Sequence, residues 1–222
     1  MKLNCRLIMV GDSDQLPSVG AGNLLKDMID SKTITVVELK EIFRQARQSS
    51  IVTNAHKIVE GIVPDLTTKN SDFFFFQRFM EAEAIETIVE LYKTRLPKAY
   101  NYSPIEDIQI LSPTRKGTLG VVELNKRLQQ EINPPKKEIN EVKGMIYSFR
   151  DNDKVMQTKN NYQLAWEIRT KFGLTVDKGL GIFNGDMGII RQINDFAEQM
   201  IIEFDEGRMV EYPYKLLDEL EL

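Results

Sequence analysis

The sequence predicts an α/β fold in which a parallel sheet covered by helices is followed by a small inserted β-barrel. Between Leu7 and about Pro134, apolar strand-like runs alternate with loops and amphipathic helices, which is the pattern of a parallel sheet. After Pro135 the runs become shorter and tight-turn signals separate them, as is typical of a small β-barrel. The 222 residues are 42% hydrophobic and 28% charged, a balance that favours an ordinary globular protein over a disordered one.

The first part of the chain alternates predicted strands with predicted helices. The strands are apolar or β-branched runs, at Leu7–Val10, Ile34–Leu39, Phe73–Phe76 and Ile108–Leu111. The predicted helices keep apolar residues at helical spacing and have recognisable ends. The first is Leu24–Ile29, and the second is capped by Ser49 or Ser50 and has Gly61 near its end. The third contains Ile85 and Tyr92 and is closed by Pro97, and the fourth runs from Val121 and ends at Pro134.

The second part of the chain contains mainly predicted strands and tight turns. Val155–Gln157 is a predicted strand, and Asn184-Gly185 predicts a type I′ hairpin turn. Met200–Phe204 and Met209–Tyr212 predict a further hairpin, with its turn at residues 205–207. Residues 163–179 interrupt this series, and we interpret them as an inserted helix or loop.

Composition and charge exclude several classes of function. The net charge of −4 gives no global nucleic-acid signature, so any anion site has to be local. Residues 112–191 carry 14 Lys and Arg against 9 Asp and Glu, whereas residues 192–222 carry 2 against 9. The single cysteine, Cys5, and the single histidine, His56, exclude a disulfide and a multi-histidine metal site, and we expect no resident metal. Apolar runs are short, so we expect a cytoplasmic protein with no membrane partner.

The run from Gly11 to Gly22 is the first candidate site. It follows a predicted strand at the edge where open α/β sheets bind ligands. Gly11 allows close approach of the backbone, and Asp12 adds a carboxylate. The Gln15 amide can donate to a phosphate oxygen and orient a water. The alternative is a strand-to-helix turn without a ligand.

Two further runs contain cations that suit phosphate chemistry. Arg44 follows an aromatic residue just beyond the second predicted strand, and arginine suits the charge of a phosphoryl-transfer transition state. Thr114, Arg115 and Lys116 leave a predicted strand and enter a helix N-terminus, with Asn125 further along, an arrangement that suits a nucleic-acid phosphate. A surface arginine and a solvated loop are the respective alternatives.

Five runs, taken in chain order, resemble the RecD-like helicases, superfamily-one DNA motors that move 5′ to 3′ and include the α subunit of exodeoxyribonuclease V. The runs are Gly-Asp-x-x-Gln-Leu-Pro-Ser-Val-Gly from Gly11, Ile-Phe-Arg-Gln-Ala from Ile42, Ser-Pro-Thr-Arg-x-Gly-x-x-Gly from Ser112, Asp-Lys-Val-Met-Gln-x-x-Asn-Asn-Tyr from Asp153, and Phe-Asn-Gly-Asp-x-Gly from Phe183. The resemblance extends from Leu7 to the last residue.

The resemblance implies a domain organisation and a set of partners. Residues 1–33 would end a first RecA-like P-loop NTPase-type motor domain, residues 34–150 would form part of a second, and residues 151–222 would contain the strand entering an SH3-like β-barrel and the barrel itself. ATP and Mg²⁺ would bind the full-length parent, and neither is expected to bind this chain tightly. Partners would be single-stranded DNA, the remaining motor segments of the parent and, in a nuclease complex, further subunits.

The resemblance also implies roles for individual residues. Gly11, Asp12 and Gln15 would belong to helicase motif III, with Gln15 sensing the γ-phosphate, and Arg44 would be the motif IV arginine at that phosphate. The remaining candidates would lie along single-stranded DNA: Pro17, Ser18, Val19, Thr114, Arg115, Lys116, Asn125, Lys159, Asn160 and Asn161.

The sequence departs from the family pattern in two respects. Asn152 stands where the family usually has glycine, and because asparagine tolerates the left-handed conformation we expect a small effect. The chain contains no Gly-Lys dipeptide, hence no phosphate-binding lysine loop, and we assign no Walker B acid pair. We therefore expect an internal piece of a longer helicase that is inactive alone. The alternative is a non-catalytic nucleic-acid- or protein-binding module built on the barrel.

Overall fold

The structure is a computed structural model that describes residues 6–13, 15, 22–39, 49–68 and 72–222. The chain divides into two compact units, Met1–Gln77 and Arg78–Leu222. Among the described residues, no helix combines the length and the apolar character needed to cross a bilayer.

The described residues of the first unit include two helices, and polar side chains fix where each begins. Helix α1 spans Leu24–Asp30, and its N-cap Asn23 accepts a hydrogen bond from the Lys26 N–H. Helix α2 spans Ser50–Val59 and begins at Ser49, one of the two candidate caps, whose Oγ accepts from the Val52 N–H at 3.2 Å. The caps therefore confirm both helix starts.

A carboxylate reinforces the start of α2, and a buried amide fixes the segment that follows the helix. Asp72 accepts hydrogen bonds from the Ser50 and Ile51 N–H groups and from the Ser49 hydroxyl, which together lower the pKa of Asp72. Asn54 is almost fully buried, and its side chain bonds both backbone polar groups of Asp65. These contacts hold the chain on either side of α2.

Four predicted strands are not strands in the structure. The segments 7–10, 34–39, 73–76 and 108–111 form no ladder with other described residues, so the described part of the chain contains no parallel sheet. Val10 and Leu39 are each 95% exposed. Apolar patterning identifies a segment that suits a sheet, but a strand also needs neighbouring strands to pair its backbone groups. The prediction of a helix-covered parallel sheet is therefore not met by the described residues.

The second unit opens with a helix that runs through a proline. Helix α3 (Glu81–Glu90) continues into a π-helical turn (Leu91–Arg95) and then into helix α4 (Leu96–Tyr100), which ends at Asn101 in the left-handed conformation. The prediction that Pro97 closes this helix is wrong. Proline cannot donate to the preceding turn and crowds it, and the wider π-turn just before Pro97 accommodates the ring. Helix α5, Val121–Ile132, follows where it was predicted.

Nine strands follow α5 and form two antiparallel sheets. Strands β1 and β2 form a short hairpin, and the other seven form one sheet in the order β5-β4-β8-β7-β6-β3-β9. The bounds are β1 Glu141–Lys143, β2 Ser148–Arg150, β3 Lys154–Gln157, β4 Asn161–Arg169, β5 Thr175–Ile182, β6 Met187–Asn194, β7 Gln199–Phe204, β8 Arg208–Pro213 and β9 Leu220–Glu221.

One long antiparallel ribbon dominates this larger sheet. Strand β3 leads directly into β4, β5 leads into β6, and the two arms pair along their length from Lys154 opposite Ile189 to Arg169 opposite Thr175. Because β4 also pairs with β8 through Glu167 and Met209, the order β3-β6-β7-β8-β4 returns to the same bent strand and closes a barrel. The barrel core contains residues from all of these strands, including Val155, Leu164, Ile190, Ile202, Phe204, Val210 and Tyr212.

The ribbon corrects two predictions. Residues 163–179 are not an inserted helix or loop but most of β4 and β5, with the tip of the ribbon at residues 170–174. Asn184-Gly185 is not a hairpin turn but a bend along one arm, where the Gly185 N–H donates to the Gln157 carbonyl. An Asn-Gly pair supplies a residue with positive φ, and Gly185 has φ +96°, but a bend uses that freedom as readily as a hairpin turn does. The hairpin β7–β8 is confirmed, with its turn at Asp205–Gly207.

Candidate nucleic-acid interface

The loop from Ser112 to Gly120 presents three of the predicted DNA contacts. Thr114, Arg115 and Lys116 are all exposed, as a surface contact requires. The Ser112 hydroxyl lies between the two ends of the loop, where it contacts the Leu119 carbonyl at 2.7 Å and the Thr114 carbonyl at 3.1 Å. The loop is therefore held together from inside while its cations face solvent.

The first turn of helix α5 holds this loop through backbone hydrogen bonds. The Val121 N–H donates to the Thr114 carbonyl at 3.0 Å, and the Val122 N–H donates to the Arg115 carbonyl at 3.3 Å. Gly117 has φ +96° at the turn, and Gly120 lies so close to the Lys116 backbone that a side chain would not fit. These contacts explain the spacing of the two glycines.

The same contacts change how the loop can bind an anion. A helix N-terminus attracts phosphate through N–H groups that lack an internal partner. Here the first two N–H groups of α5 already donate to the carbonyls of Thr114 and Arg115. Two of the N–H groups that a phosphate could use at this helix terminus are therefore occupied, and the side chains of the loop are further donors.

Arg115 has a partner within the fold. Its Nη2 lies 3.3 Å from Oε1 of Glu221, and the side chains of Arg115 and Glu221 are 59% and 9% exposed. The same Glu221 oxygen accepts a hydrogen bond from the Tyr147 hydroxyl at 3.0 Å. Burial, together with this carboxylate, raises the pKa of Tyr147 to about 12, so Tyr147 is a donor at neutral pH.

Asn125 lies next to this group and contacts the Leu222 backbone. Its Nδ2 donates to the Leu222 carbonyl at 2.5 Å, and the side chain is half-buried. The structure therefore places Asn125 between α5 and the segment that follows β9.

The three predicted contacts on the strand entering the barrel are divided between surface and scaffold. Lys159 is exposed, and its Nζ lies 3.5 Å from Asp218. Asn160 accepts a hydrogen bond from the Asn184 N–H, and Asn161 donates to Glu219. Asn160 thus contacts the bend of the ribbon, Asn161 contacts the segment before β9, and Lys159 pairs with Asp218 at the surface.

A buried carboxylate joins α5 to the start of β3, and sequence reasoning did not single it out. Asp153 accepts hydrogen bonds from the Gln129 and Asn133 amides and from the Arg150 N–H, at 2.5, 2.8 and 2.7 Å. Burial outweighs these donors and raises the pKa of Asp153 to about 6. The preceding Asn152 has φ +72°, a left-handed conformation that asparagine tolerates.

An apolar cavity of about 350 Å³ lies beside this carboxylate. It is bounded by α5, by β3 and by the extended segment 108–112, and its polar rim includes Asp153, Gln129 and Lys154. Lys154 donates to Gln109 at 3.2 Å, and burial lowers the pKa of Lys154. The cavity lies against residues 108–112, of which 108–111 were predicted to be a strand.

The predicted phosphate-sensing residues lie in the first unit. The Gln15 amide donates to the Asp12 carboxylate at 3.0 Å, and both side chains are exposed. A Cβ at Gly11 would lie 2.9 Å from the Leu25 side chain, so Gly11 allows the loop to approach α1. Four further predicted residues, Pro17, Ser18, Val19 and Arg44, lie outside the described residues.

The described residues do not by themselves fit the ATP and Mg²⁺ that the resemblance implies. The sequence has no Gly-Lys dipeptide to supply a phosphate-binding lysine loop. In the part of the chain that the structure describes, no three His, Cys, Asp or Glu side chains gather as a metal site would require. Asp205-Glu206 does follow an apolar strand, but it forms the turn between β7 and β8.

Comparisons with known proteins match both units. A family described as "ATP-dependent RecD-like DNA helicase SH3 domain" matches residues 124–204, and one described as "AAA domain" matches residues 2–73. The chain is 29% identical over 206 residues to the ATP-dependent RecD2 DNA helicase of Deinococcus radiodurans, an alignment that covers 93% of this chain and 24% of that protein. The chain thus spans about a quarter of the length of this relative. Together these matches confirm the resemblance found in the sequence: the chain is similar to RecD-like helicases, with one part that matches an AAA domain and another that matches the SH3 domain of these helicases.

Proposed function

We propose that this chain is the part of an ATP-dependent 5′–3′ DNA helicase that contacts single-stranded DNA and senses the γ-phosphate of ATP. In the full-length parent, ATP hydrolysis between two motor domains would drive translocation along single-stranded DNA and unwinding of the duplex. Gln15 and Arg44 would couple the state of the phosphate to closure of the cleft.

The observation that carries this proposal is the fixed, exposed loop Thr114–Lys116. Backbone hydrogen bonds to α5 hold it in one conformation, so its side chains lose little freedom when they meet a phosphate. It lies in the stretch of the chain with an excess of positive charge. A loop that offers a hydroxyl and two cations binds the sugar–phosphate backbone without reading its sequence.

A fluorescence-anisotropy titration of a labelled oligo-thymidine at several salt concentrations tests the proposal. Two to four phosphate contacts predict a dissociation constant near 10⁻⁴ to 10⁻⁶ M and a slope of about −0.7 per contact in log affinity against log salt. The Arg115→Ala/Lys116→Ala variant should flatten the slope by one to two contacts. The control, Lys136→Ala/Lys137→Ala, removes two other exposed lysines and should leave the slope unchanged. Equal slopes in both double variants would contradict the proposed path of the DNA.

The role of the first unit is tested in the full-length parent. Arg44→Ala should reduce ATP hydrolysis by roughly 10³-fold or more while leaving DNA binding nearly intact, since an arginine at the transferring phosphate stabilises the transition state. Gln15→Ala should lower hydrolysis and weaken its coupling to unwinding. Normal unwinding rates in both variants would contradict these assignments.

A second candidate function, a non-catalytic binding module built on the barrel, is favoured by the outer half of the ribbon. This half exposes large apolar side chains, namely Phe172, Leu174, Val176 and Leu180. Exposed apolar residues grouped on one element are typical of an interaction surface. Under the helicase proposal, a Phe172→Ser/Leu174→Ser variant and a Trp166→Ala variant both keep the wild-type salt slope, whereas loss of DNA binding in either would favour the barrel module.

A further inference from the structure

Glu221 is a nearly buried carboxylate at the edge of the barrel. It lies on β9, which pairs with β3 through Met156 opposite Glu221, and it is 7% exposed. A carboxylate removed from water needs hydrogen-bond donors or an opposite charge. The Tyr147 hydroxyl supplies the donor and the Arg115 guanidinium supplies the charge.

Arg115 is consequently held at both of its ends. Its backbone carbonyl accepts the Val122 N–H, which fixes where the side chain begins. Glu221 contacts one of its terminal nitrogens, which fixes the direction of the guanidinium. A guanidinium has five N–H donors, and this side chain is 59% exposed, so donors remain available to a second anion from solvent.

We propose that Glu221 is a positioning residue, which holds the Arg115 guanidinium so that its remaining N–H groups meet a phosphate of single-stranded DNA. This inference rests on the proposed function and deepens it, because it assigns a role in DNA binding to the acidic end of the described chain. A long side chain that is already ordered loses less conformational freedom on binding. Without the carboxylate, Arg115 has to be ordered by the DNA itself.

The charge of Glu221 complicates a simple deletion, since removing a negative charge also strengthens attraction to phosphate. Glu221→Asp avoids this problem because it keeps the charge and withdraws the carboxylate by one methylene. Glu221→Gln removes the charge but keeps the length and an oxygen for Tyr147. Its charge-matched control is Glu203→Gln, which breaks the exposed pair with Arg191 on another strand of the barrel.

The experiment measures oligo-thymidine affinity by anisotropy for these variants in the 222-residue chain, with circular dichroism and thermal unfolding to confirm folding. Glu221→Asp should bind about two- to tenfold more weakly than wild type, the range expected for ordering one long side chain. Glu221→Gln should bind more weakly than Glu203→Gln by a similar factor. In an Arg115→Ala background, adding Glu221→Asp should not weaken binding further. In the same background, Glu221→Gln and Glu203→Gln should bind equally well.

The outcomes separate this inference from the function on which it rests. If Arg115→Ala binds as tightly as wild type, the proposed DNA path fails. If Arg115→Ala weakens binding but Glu221→Asp does not, the path stands and the positioning role fails. If Glu221→Gln binds more tightly than Glu203→Gln, Glu221 competes with the phosphate, which overturns the inference. An equal loss for Glu221→Asp with and without Arg115 would make the effect structural and would overturn it as well.

Discussion

Gly120 lies against the backbone of Lys116 so closely that a Cβ at position 120 would come within 2.6 Å of the Lys116 carbonyl carbon. Gly120 has φ −76°, a value that any residue adopts, so space and not conformation requires glycine here. The position of the candidate DNA loop thus depends on one missing side chain at the N-cap of α5.

Gly120→Ala should displace the loop and weaken DNA binding. Pushing backbone away from backbone in a packed region costs about 1–3 kcal/mol. We expect a loss of that size in the free energy of unfolding, measured in urea, and a weaker oligo-thymidine affinity by anisotropy. Thr118→Ala, at an exposed position of the same loop, should change neither quantity. Wild-type affinity in Gly120→Ala would show that the DNA path does not need this loop conformation.

Asp153 should make stability depend on pH in the mildly acidic range. Its ordinary pKa is 3.8 and burial raises it to about 6 in the fold, so the folded chain binds the proton more tightly. The resulting contribution to stability is fully present below pH 3.8 and is lost as the pH rises through 6. Between pH 5 and pH 7.5 the loss is about 1 kcal/mol.

Urea unfolding of wild type and Asp153→Asn at these two pH values measures this contribution. Asparagine does not titrate, and its NH₂ group would face a donor from Gln129, Asn133 or Arg150. We therefore expect the Asp153→Asn variant to be less stable than wild type at both pH values. The advantage of wild type over the variant should be larger at pH 5. A larger advantage at pH 7.5 would mean that the three donors outweigh burial.

Asn152 should tolerate glycine but not a β-branched residue. Its φ of +72° costs most side chains about 1–2 kcal/mol, and asparagine and glycine adopt it most readily. Asn152→Gly should therefore change the free energy of unfolding by less than about 0.5 kcal/mol, whereas Asn152→Val should lower it by at least about 1 kcal/mol. Chemical denaturation measures both. Equal stability of the two variants would argue against a left-handed residue at this site.

The chain alone should not hydrolyse ATP. In P-loop motors the lysine loop holds the phosphates and an acidic residue holds the Mg²⁺ that bridges them, and the sequence contains no Gly-Lys dipeptide. Phosphate release in the presence of single-stranded DNA should remain at background. DNA-stimulated turnover that persists through a second purification step would contradict this prediction.

Local chemistry made several elements predictable from the sequence. Ser49 as the cap of α2, the turn at Asp205–Gly207 and the left-handed Asn152 each depend on residues within a few positions of one another. Asn184-Gly185 was misleading because a dipeptide indicates only that the chain turns there. It does not indicate whether the flanking strands pair with each other or with a third segment.

Contacts between distant parts of the chain were not predictable. Arg115 and Glu221 are far apart in sequence, and nothing around Glu221 distinguishes it from the other acidic residues near it. The contact between Asn125 and the Leu222 carbonyl was likewise not predictable, since the two residues are far apart in sequence. Segments such as 108–111 have the apolar pattern of a strand. The pattern does not show whether a neighbouring strand is present to pair with the backbone of the segment.

The continuous ribbon restricts where this chain can change its length. The outer part of the ribbon already contains two register shifts, within β4. One residue added in β3 or in the first half of β6, where buried and half-buried residues alternate, would turn the side chains beyond it to the opposite face and expose part of the barrel core. The tip at residues 170–174 is outside that constraint, because Thr170 and Leu174 close the turn on themselves and Phe172 is 93% exposed. Insertions and deletions among related chains should therefore concentrate at this tip, and a peptide tag placed there should leave the barrel intact.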